Sequence, residues 1–248
     1  MGGRPLRVLL TGGGTAGHVF PALALATELR RLEPGVEFLY IGTRAGLEAG
    51  LVPAAGLPFA TVRAQGLVGR RPLAAMRALW ELVRGYREAR QLIGRFRPHV
   101  AVGTGGYVTG PVLLAAARAG VPLVLHEQNA FPGAANRWLS RFAELVAVPF
   151  DETHRYFGRA ARVVTTGNPV RPEIVTTSRD EGLRAFGLDG ERPVVLIVSG
   201  SRGAQAINEA SVAMLTGPPL DAQVILVTGR RYYDAVVARL AAAGVSLD

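Results

Sequence analysis

A glycine-rich stretch from Thr11 to His18 constrains the fold of this chain more than any other feature. It reads Thr-Gly-Gly-Gly-Thr-Ala-Gly-His, follows the apolar run 8–10, and precedes a helical pattern that opens at Pro21. A strand, a glycine-rich turn and a helix in this order bring free backbone N–H groups and the positive end of a helix dipole to one point. We therefore expect an anion-binding turn, with a phosphate as the simplest ligand. The glycines alone also fit a tight turn that binds nothing.

His18 closes this stretch and is a candidate proton acceptor, because imidazole titrates close to neutral pH. Its position alone fits an exposed or helix-capping histidine as well.

Apolar runs alternate with helical patterns along the chain, which is typical of a parallel sheet covered on both faces. Strands are predicted at 6–10, 37–41, 59–62, 100–102, 123–125, 145–147 and 162–165, and helices at 21–33, 47–54, 72–96, 111–119 and 134–142. The pattern pauses near Gly167 and starts again, with strands at 194–198 and 224–227 and helices at 204–215 and 232–243. The predicted fold is α/β, with doubly wound parallel sheets in two similar domains, 1–166 and 167–248.

The glycine-rich turn recurs at 103–111 and at 199–204, each time between an apolar run and a helical pattern. Three such turns suit a ligand with a diphosphate or several phosphates. Glycines that serve only close packing are the alternative.

The pattern Gly12-x-Gly14-x-x-Gly17 also fits a dinucleotide oxidoreductase. That class needs an acidic residue at the end of the second strand to bind the ribose hydroxyls. The second strand here ends at Gly42-Thr43-Arg44, with no acid at its tip. An arginine there accommodates a 2′-phosphate, so an NADP-linked enzyme stays open as a distant alternative.

The amino-acid composition limits the classes of protein and the kinds of site that fit this chain. The chain has 248 residues, no cysteine and 28 basic residues, all of them arginine. The absence of cysteine excludes disulfides and thiolate metal sites. No signal sequence opens the chain, and the uncharged segment 98–117 is broken by glycine and proline, so we expect a cytoplasmic protein without a membrane-spanning helix.

Positive charge is concentrated between Arg63 and Arg97. This segment contains nine arginines and two glutamates, so it carries +7 of the net charge of +9. An apolar stripe runs along the predicted helix in this segment. A basic amphipathic helix is suited to an anionic membrane surface, whereas an ordinary core-facing stripe is an equal alternative. No aromatic-interleaved basic motif supports nucleic-acid binding. The stripe consists of Leu73, Met76, Leu79, Trp80 and Val83.

Two polar clusters follow predicted strands. His126-Glu127-Gln128-Asn129 stands at the carboxyl edge of the sheet, where open α/β folds bind ligands. Gly167-Asn168-Pro169-Val170-Arg171 places an arginine, suited to phosphate or carboxylate, at the proposed domain boundary. Each cluster taken alone also fits a structural role.

Five motifs in this order and spacing closely resemble the MurG family, the bacterial N-acetylglucosaminyltransferases of peptidoglycan synthesis. The resemblance covers the whole chain and implies a GT-B fold with two Rossmann-like domains, the first binding a lipid-linked acceptor and the second mainly the nucleotide sugar. The motifs are 11–22, 103–111, 126–129, 167–171 and 200–204.

The implied reaction transfers N-acetylglucosamine, with inversion, from UDP-N-acetylglucosamine to the C4 hydroxyl of the muramoyl sugar of undecaprenyl-linked lipid I, giving lipid II and UDP. The resemblance nominates His18 as the base and Glu127 as a second acid–base candidate. The sequence contains no Asp-x-Asp motif, so we expect no metal-bridged diphosphate, and we expect no cofactor and no nucleic-acid partner. The resemblance places the enzyme peripherally on the cytoplasmic face of the membrane. It assigns donor contacts to Thr15, Ala16, Gly17, Asn129, Arg171 and Ser201, and an acceptor diphosphate loop to Gly105, Gly106 and Tyr107.

Two departures from the family pattern affect these expectations. The third loop carries Ser199 and Arg202 where the family usually has glycine and glutamine. Family members also continue beyond Asp248, so we expect an incomplete second domain. Either an active transferase or an inactive fragment that binds only acceptor and membrane fits the sequence.

Overall fold

The structure is a computed structural model that describes residues 5–66, 72–158, 160, 162–200 and 203–247, without the side chains of 72–75, 77 and 79. The chain divides into two compact units, Met1–Val175 and Thr176–Asp248, which are described separately.

Seven parallel strands form one sheet in the first unit, in the order β3-β2-β1-β4-β5-β6-β7. The strands are β1 (Arg7–Thr11), β2 (Glu37–Gly42), β3 (Phe59–Thr61), β4 (Val100–Gly103), β5 (Leu123–His126), β6 (Leu145–Val148) and β7 (Val163–Thr165). The helices are α1 (Ala16–Leu32), α2 (Glu48–Ala54), α3 (Pro72–Phe96), α4 (Thr109–Arg118), α5 (Ala134–Leu139) and α6 (Pro172–Thr176), with 3-10 helices at Ser140–Phe142 and Asp151–Tyr156.

The sheet is buried on both faces, as its continuous apolar strands predict. Successive side chains of a strand point to opposite faces, so neighbours in β1 join different cores. Leu9 packs in the cluster that includes residues of α3, α4 and α5, and Val8 and Leu10 pack in the cluster on the side of α1 and α2. The predicted doubly wound arrangement is confirmed.

Strand order reverses between β1 and β4, which are neighbours in the sheet although two strands separate them in sequence. Thr11 at the end of β1 pairs with Gly103 at the end of β4. Open α/β sheets bind ligands outside the carboxyl ends of their strands at such a switch point. The first two glycine-rich turns therefore lie at the ligand-binding edge of the fold.

Helix α1 begins at Ala16, five residues before the predicted start at Pro21. Pro21 was the predicted start because proline is favoured in the first turn of a helix. In the structure the N-cap residue is Thr15, whose backbone is extended (φ −137°, ψ 155°), so Pro21 lies inside the helix. As a result, His18 belongs to the first helical turn rather than to the loop before it.

The second unit contains α7 (Arg179–Ala185), β8 (Val194–Val198), α8 (Gln205–Leu215), β9 (Gln223–Val227) and α9 (Tyr233–Ala242). Its two strands pair in parallel, and Val212, Val236 and Leu240 form a small core. The two strands and the helices α8 and α9 match the predicted elements to within two residues, whereas α7 was not predicted. Leu196 and Val198 of β8 are 61% and 56% exposed.

Candidate functional site

The first two glycine-rich loops, 11–18 and 103–111, contact each other directly. The N–H of Gly13 donates to the carbonyl oxygen of Gly105 at 3.2 Å. The Thr104 hydroxyl donates to the carbonyl oxygen of His18 at 2.5 Å. The two loops thus form one backbone-lined surface, as the topology predicts.

His18 lies in this surface, half-buried, with its Nδ1 3.0 Å from the carbonyl oxygen of Gly13 and 3.0 Å from the hydroxyl of Thr15. A carbonyl oxygen carries no proton, so the first contact requires the proton on Nδ1. In neutral imidazole the other ring nitrogen, Nε2, then has a free lone pair. A proton on Nδ1 is the tautomer that a base acting through Nε2 needs.

The free N–H groups at the start of α1 lie next to this imidazole. Ala16 and Gly17 occupy the first turn of the helix, where N–H groups have no partner inside the helix. The positive end of the helix dipole adds to their effect on an anion.

The three predicted acceptor-loop residues lie against the first loop. Gly105 and Gly106 have φ of +103° and +90°, which glycine adopts without strain. A Cβ at Gly106 would lie 2.3 Å from the carbonyl oxygen of Gly13, so only glycine allows this approach. The ring of Tyr107 lies next to Gly14: a Cβ added to Gly14 would be 3.1 Å from Cε1 of Tyr107.

Glu127 is 1% exposed at the end of β5, and both of its carboxylate oxygens accept hydrogen bonds from the loop after β5 and from α5. Oε1 accepts from the N–H groups of Gln128 and Asn129 at 3.0 Å each and from Nδ2 of Asn129 at 2.8 Å. Oε2 accepts from the N–H of Gly133 at 3.2 Å and from Nδ2 of Asn136 at 3.0 Å. These five hydrogen bonds order the loop after β5 and tie it to the start of α5.

His126 is buried beside this loop, and burial lowers its pKa. Its Nε2 donates to the carbonyl oxygen of Gly167 at 3.3 Å, and its Nδ1 accepts from Nε2 of Gln128 at 3.0 Å. Gln128 also donates to the carbonyl oxygen of Thr104 at 2.7 Å, which joins the cluster after β5 to the second glycine-rich loop.

The segment 167–171 reaches the same edge of the first unit. Asn168 donates through Nδ2 to the carbonyl oxygen of Gln128 at 3.3 Å. The guanidinium carbon of Arg171 lies 5.0 Å from the ring centre of Phe20, on α1. Arg171 itself is exposed and available to an anion.

The third glycine-rich loop belongs to the second unit. Ser201, the predicted donor contact, and Arg202, the departure from the family pattern, lie outside the described residues. In the adjoining described part, Ser199 accepts through its hydroxyl from the N–H of Ala204 at 3.0 Å, and Gly203 has φ +71°.

Sequence reasoning missed two buried residues that hold the first loop from the side of β2. The hydroxyl of Tyr40 donates to the carbonyl oxygen of Gly12 at 2.8 Å, and burial together with the nearby Glu48 carboxylate raises the pKa of this phenol. Glu48 accepts from the N–H of Gly14 at 3.0 Å. No acid stands at the tip of β2, and Glu48 follows a few residues further on, at the start of α2.

A cleft of about 560 Å³ adjoins the acceptor loop. It runs between the ends of β2 and β3 and helix α3, and Tyr107 stands in its wall. Charged groups of both signs line it, including Arg44, Arg63 and Glu88. This cleft leaves room for a large polar ligand beside the two loops.

The apolar stripe on α3 is exposed where it is described. Met76, Trp80 and Val83 are 68%, 54% and 38% exposed, and the guanidinium carbon of Arg84 lies 5.3 Å from the ring centre of Trp80. The side chains of Leu73 and Leu79 lie outside the described residues. Among the helices that are described, none is long and apolar enough to cross a membrane.

Comparisons with known proteins identify the family of this chain. The family model described as the glycosyltransferase family 28 N-terminal domain matches residues 8–148. A relative from Moorella thermoacetica is 51% identical over 98% of this chain, and one from Thermoanaerobacter sp. (strain X514) is 40% identical over 98%. Both are named UDP-N-acetylglucosamine--N-acetylmuramyl-(pentapeptide) pyrophosphoryl-undecaprenol N-acetylglucosamine transferase.

Among solved structures, MurG of Acinetobacter baumannii is 31% identical, with a TM-score of 0.68 over 96% of this chain and 64% of that one. The chain spans 66% and 67% of the length of the two curated relatives. The fold is that of the GT-B class of glycosyltransferases. The chain belongs to glycosyltransferase family 28 and, within it, to the MurG transferases. An oxidoreductase has no support among these relatives.

Proposed function

We propose that this chain supplies the acceptor-binding, proton-accepting part of an inverting N-acetylglucosaminyltransferase. The donor is UDP-N-acetylglucosamine and the acceptor is lipid I, which the names of the relatives support. The observation that carries the proposal is His18, held with a free Nε2 between two glycine-rich loops.

In the proposed reaction, the C4 oxygen of the muramoyl sugar attacks C1 of N-acetylglucosamine from the face opposite UDP. The bond between C1 and the UDP oxygen breaks, and the electron pair leaves with UDP. The hydroxyl proton passes to Nε2 of His18, which acts as the general base. Attack and departure on opposite faces invert the configuration at C1.

Negative charge that develops on the leaving diphosphate needs preorganised donors. We propose that Thr15, Ala16 and Gly17, at the positive end of α1, and the exposed Arg171 provide such donors. Asn129 and Ser201 complete the proposed donor contacts. Gly105, Gly106 and Tyr107 are proposed to face the acceptor diphosphate, beside the cleft that Tyr107 lines.

We further propose that α3 rests on the anionic cytoplasmic face of the bacterial membrane. Met76, Trp80 and Val83 present an exposed apolar stripe, and the chain concentrates its arginines in this segment. Burial of apolar groups together with attraction to anionic lipids is the usual basis of peripheral binding.

A transfer assay tests the proposal with lipid I and UDP-N-acetylglucosamine as substrates and lipid II as the measured product. The chain is compared with a chimaera that continues it with the remaining third of the Moorella thermoacetica relative. We expect lipid II from the chimaera and saturable binding of lipid I by both proteins. Failure of the folded chimaera to make lipid II would sink the proposal.

A thermal titration with UDP-N-acetylglucosamine separates the two remaining possibilities for the chain alone. A rise in Tm with ligand concentration shows that the 248-residue chain holds the donor. Binding of lipid I without such a rise assigns the chain to acceptor and membrane binding only.

A further inference from the structure

Glu48 is a fully buried carboxylate next to the first glycine-rich loop. Its Oε1 accepts from the N–H of Thr43 at 3.0 Å and from the Thr43 hydroxyl at 2.7 Å. Its Oε2 accepts from the N–H of Gly14 at 3.0 Å. The carboxylate therefore links the end of β2 to the loop that carries His18.

The surroundings of Glu48 are built to hold a carboxylate. A Cβ at Gly13 would lie 2.4 Å from Oε1, and one at Gly46 would lie 2.1 Å from Oε2, so glycine makes room on two sides. No ion pair in the described part of the chain includes Glu48. A buried charge without a counter-ion is costly and depends on its hydrogen bonds. Helix packing alone does not require such a group.

One peptide group connects Glu48 to His18. The N–H of Gly14 and the carbonyl of Gly13 belong to the same planar unit. Its N–H donates to Oε2 of Glu48, and its carbonyl oxygen accepts from Nδ1 of His18, each at 3.0 Å. The negative charge at one end polarises the peptide and makes its carbonyl oxygen a stronger acceptor at the other end.

We propose that Glu48 is a positioning residue for His18 and acts through this peptide group. The carboxylate fixes the peptide plane, the peptide keeps the proton on Nδ1, and Nε2 is left free to accept the proton of the attacking hydroxyl. A buried carboxylate that selects a histidine tautomer by direct contact is a known catalytic device. In this chain the peptide between Gly13 and Gly14 stands between the two groups. The kinetic part of this inference rests on the proposed function of His18, whereas the tautomer part does not.

NMR of the protein labelled with ¹⁵N-histidine measures the tautomer directly. The chain has four histidines, and His18→Gln identifies the signals of residue 18. We expect His18 to carry its proton on Nδ1 in the neutral form. In Glu48→Gln, which keeps the side-chain shape but removes the charge, we expect a mixture of both tautomers.

Tyr40→Phe is the matched control, because the Tyr40 hydroxyl holds the same loop at Gly12 but has no bond to the peptide of Gly13 and Gly14. We expect the tautomer in Tyr40→Phe to stay as in the unmodified chain. An unchanged tautomer in folded Glu48→Gln, or an equal change in both variants, would overturn the inference. If Glu48→Gln does not fold, the tautomer of His18 in the unmodified chain tests the inference. A proton found on Nε2 of neutral His18 would refute the proposed role of Glu48.

Kinetics of the active chimaera separate this inference from the proposed function. Glu48→Gln is expected to lower kcat roughly 10- to 100-fold by misplacing the base, with little change in the KM for lipid I. If His18→Gln leaves kcat unchanged, the base assignment fails, and the tautomer measurement still tests the role of Glu48.

Discussion

A side chain at Gly105 would collide with His18: its Cβ would lie 2.8 Å from Cδ2 and 3.2 Å from Nε2 of the imidazole. The second glycine-rich loop thus lies directly against the proposed base, and its glycine creates the space in which the ring lies. Loop backbone and catalytic geometry depend on each other at this contact.

Gly105→Ala is expected to destabilise the protein and to lower transfer. The backbone at residue 105 has φ +103°, which costs a residue with a side chain about 1–3 kcal/mol, and the added methyl group displaces His18. Chemical denaturation measures the loss of stability, and the transfer assay of the chimaera measures kcat. Gly110→Ala is the matched control, because nothing lies within 4 Å of its Cβ position in α4. It should leave stability unchanged or raise it by up to about 1 kcal/mol. Equal loss in both variants would contradict the steric argument.

His18→Gln is expected to lower kcat of the chimaera roughly 100- to 10,000-fold, the usual contribution of a general base. Affinity for lipid I should persist, since the backbone of the two loops is unchanged. His154→Gln, at a histidine that bonds to Thr165 at 2.9 Å and contacts neither loop, should retain kcat. A retained rate in His18→Gln would assign the proton to another group.

The ligand-binding edge was predictable because it depends on strand order. Apolar runs that alternate with helical patterns dictate parallel strands, and glycine-rich turns after β1 and β4 meet wherever those strands are neighbours. The hydrogen bond from Gly13 to Gly105 shows that the first two turns meet in the structure.

The hydrogen bond by which Glu48 holds the first glycine-rich loop was not predictable from such patterns. Glu48 lies at the start of the next helix and accepts a hydrogen bond from Gly14, and no periodicity relates the two residues.

The sequence also left open whether the apolar stripe of α3 faces the core or the surface. In α3, Ala89 and Ile93 pack in the same core cluster as Ala115 of α4, while the larger Met76 and Trp80 are exposed. Side-chain size and hydrophobicity alone would have placed the larger residues in the core.

Stability should fall on acidification through His126. Burial lowers its pKa, so the folded state prefers the neutral ring, while the unfolded chain takes up a proton below about pH 6.5. The stabilisation is complete above that pH and is lost as pH falls from there toward the folded-state pKa. Protonation also removes the acceptor that Nδ1 offers to Gln128.

Denaturation curves of the unmodified chain between about pH 7.5 and 5 measure this dependence. His126→Asn, which cannot titrate, should be less stable at neutral pH and show a flatter slope on acidification. An identical slope in His126→Asn would assign the pH dependence to other groups.

Trp80→Ala is expected to weaken binding to anionic vesicles without loss of stability, because Trp80 is 54% exposed in the absence of a membrane. Burial of such a side chain in the interface contributes about 1–2 kcal/mol, which corresponds to a roughly 5- to 30-fold change in partition. Sedimentation with vesicles rich in phosphatidylglycerol measures the effect. Phe131→Ala, at an aromatic residue that is 68% exposed after β5, is the matched control and should bind as the unmodified chain does. If both variants lose binding equally, the membrane contact extends beyond α3, and if neither does, the stripe on α3 is not the membrane-binding surface.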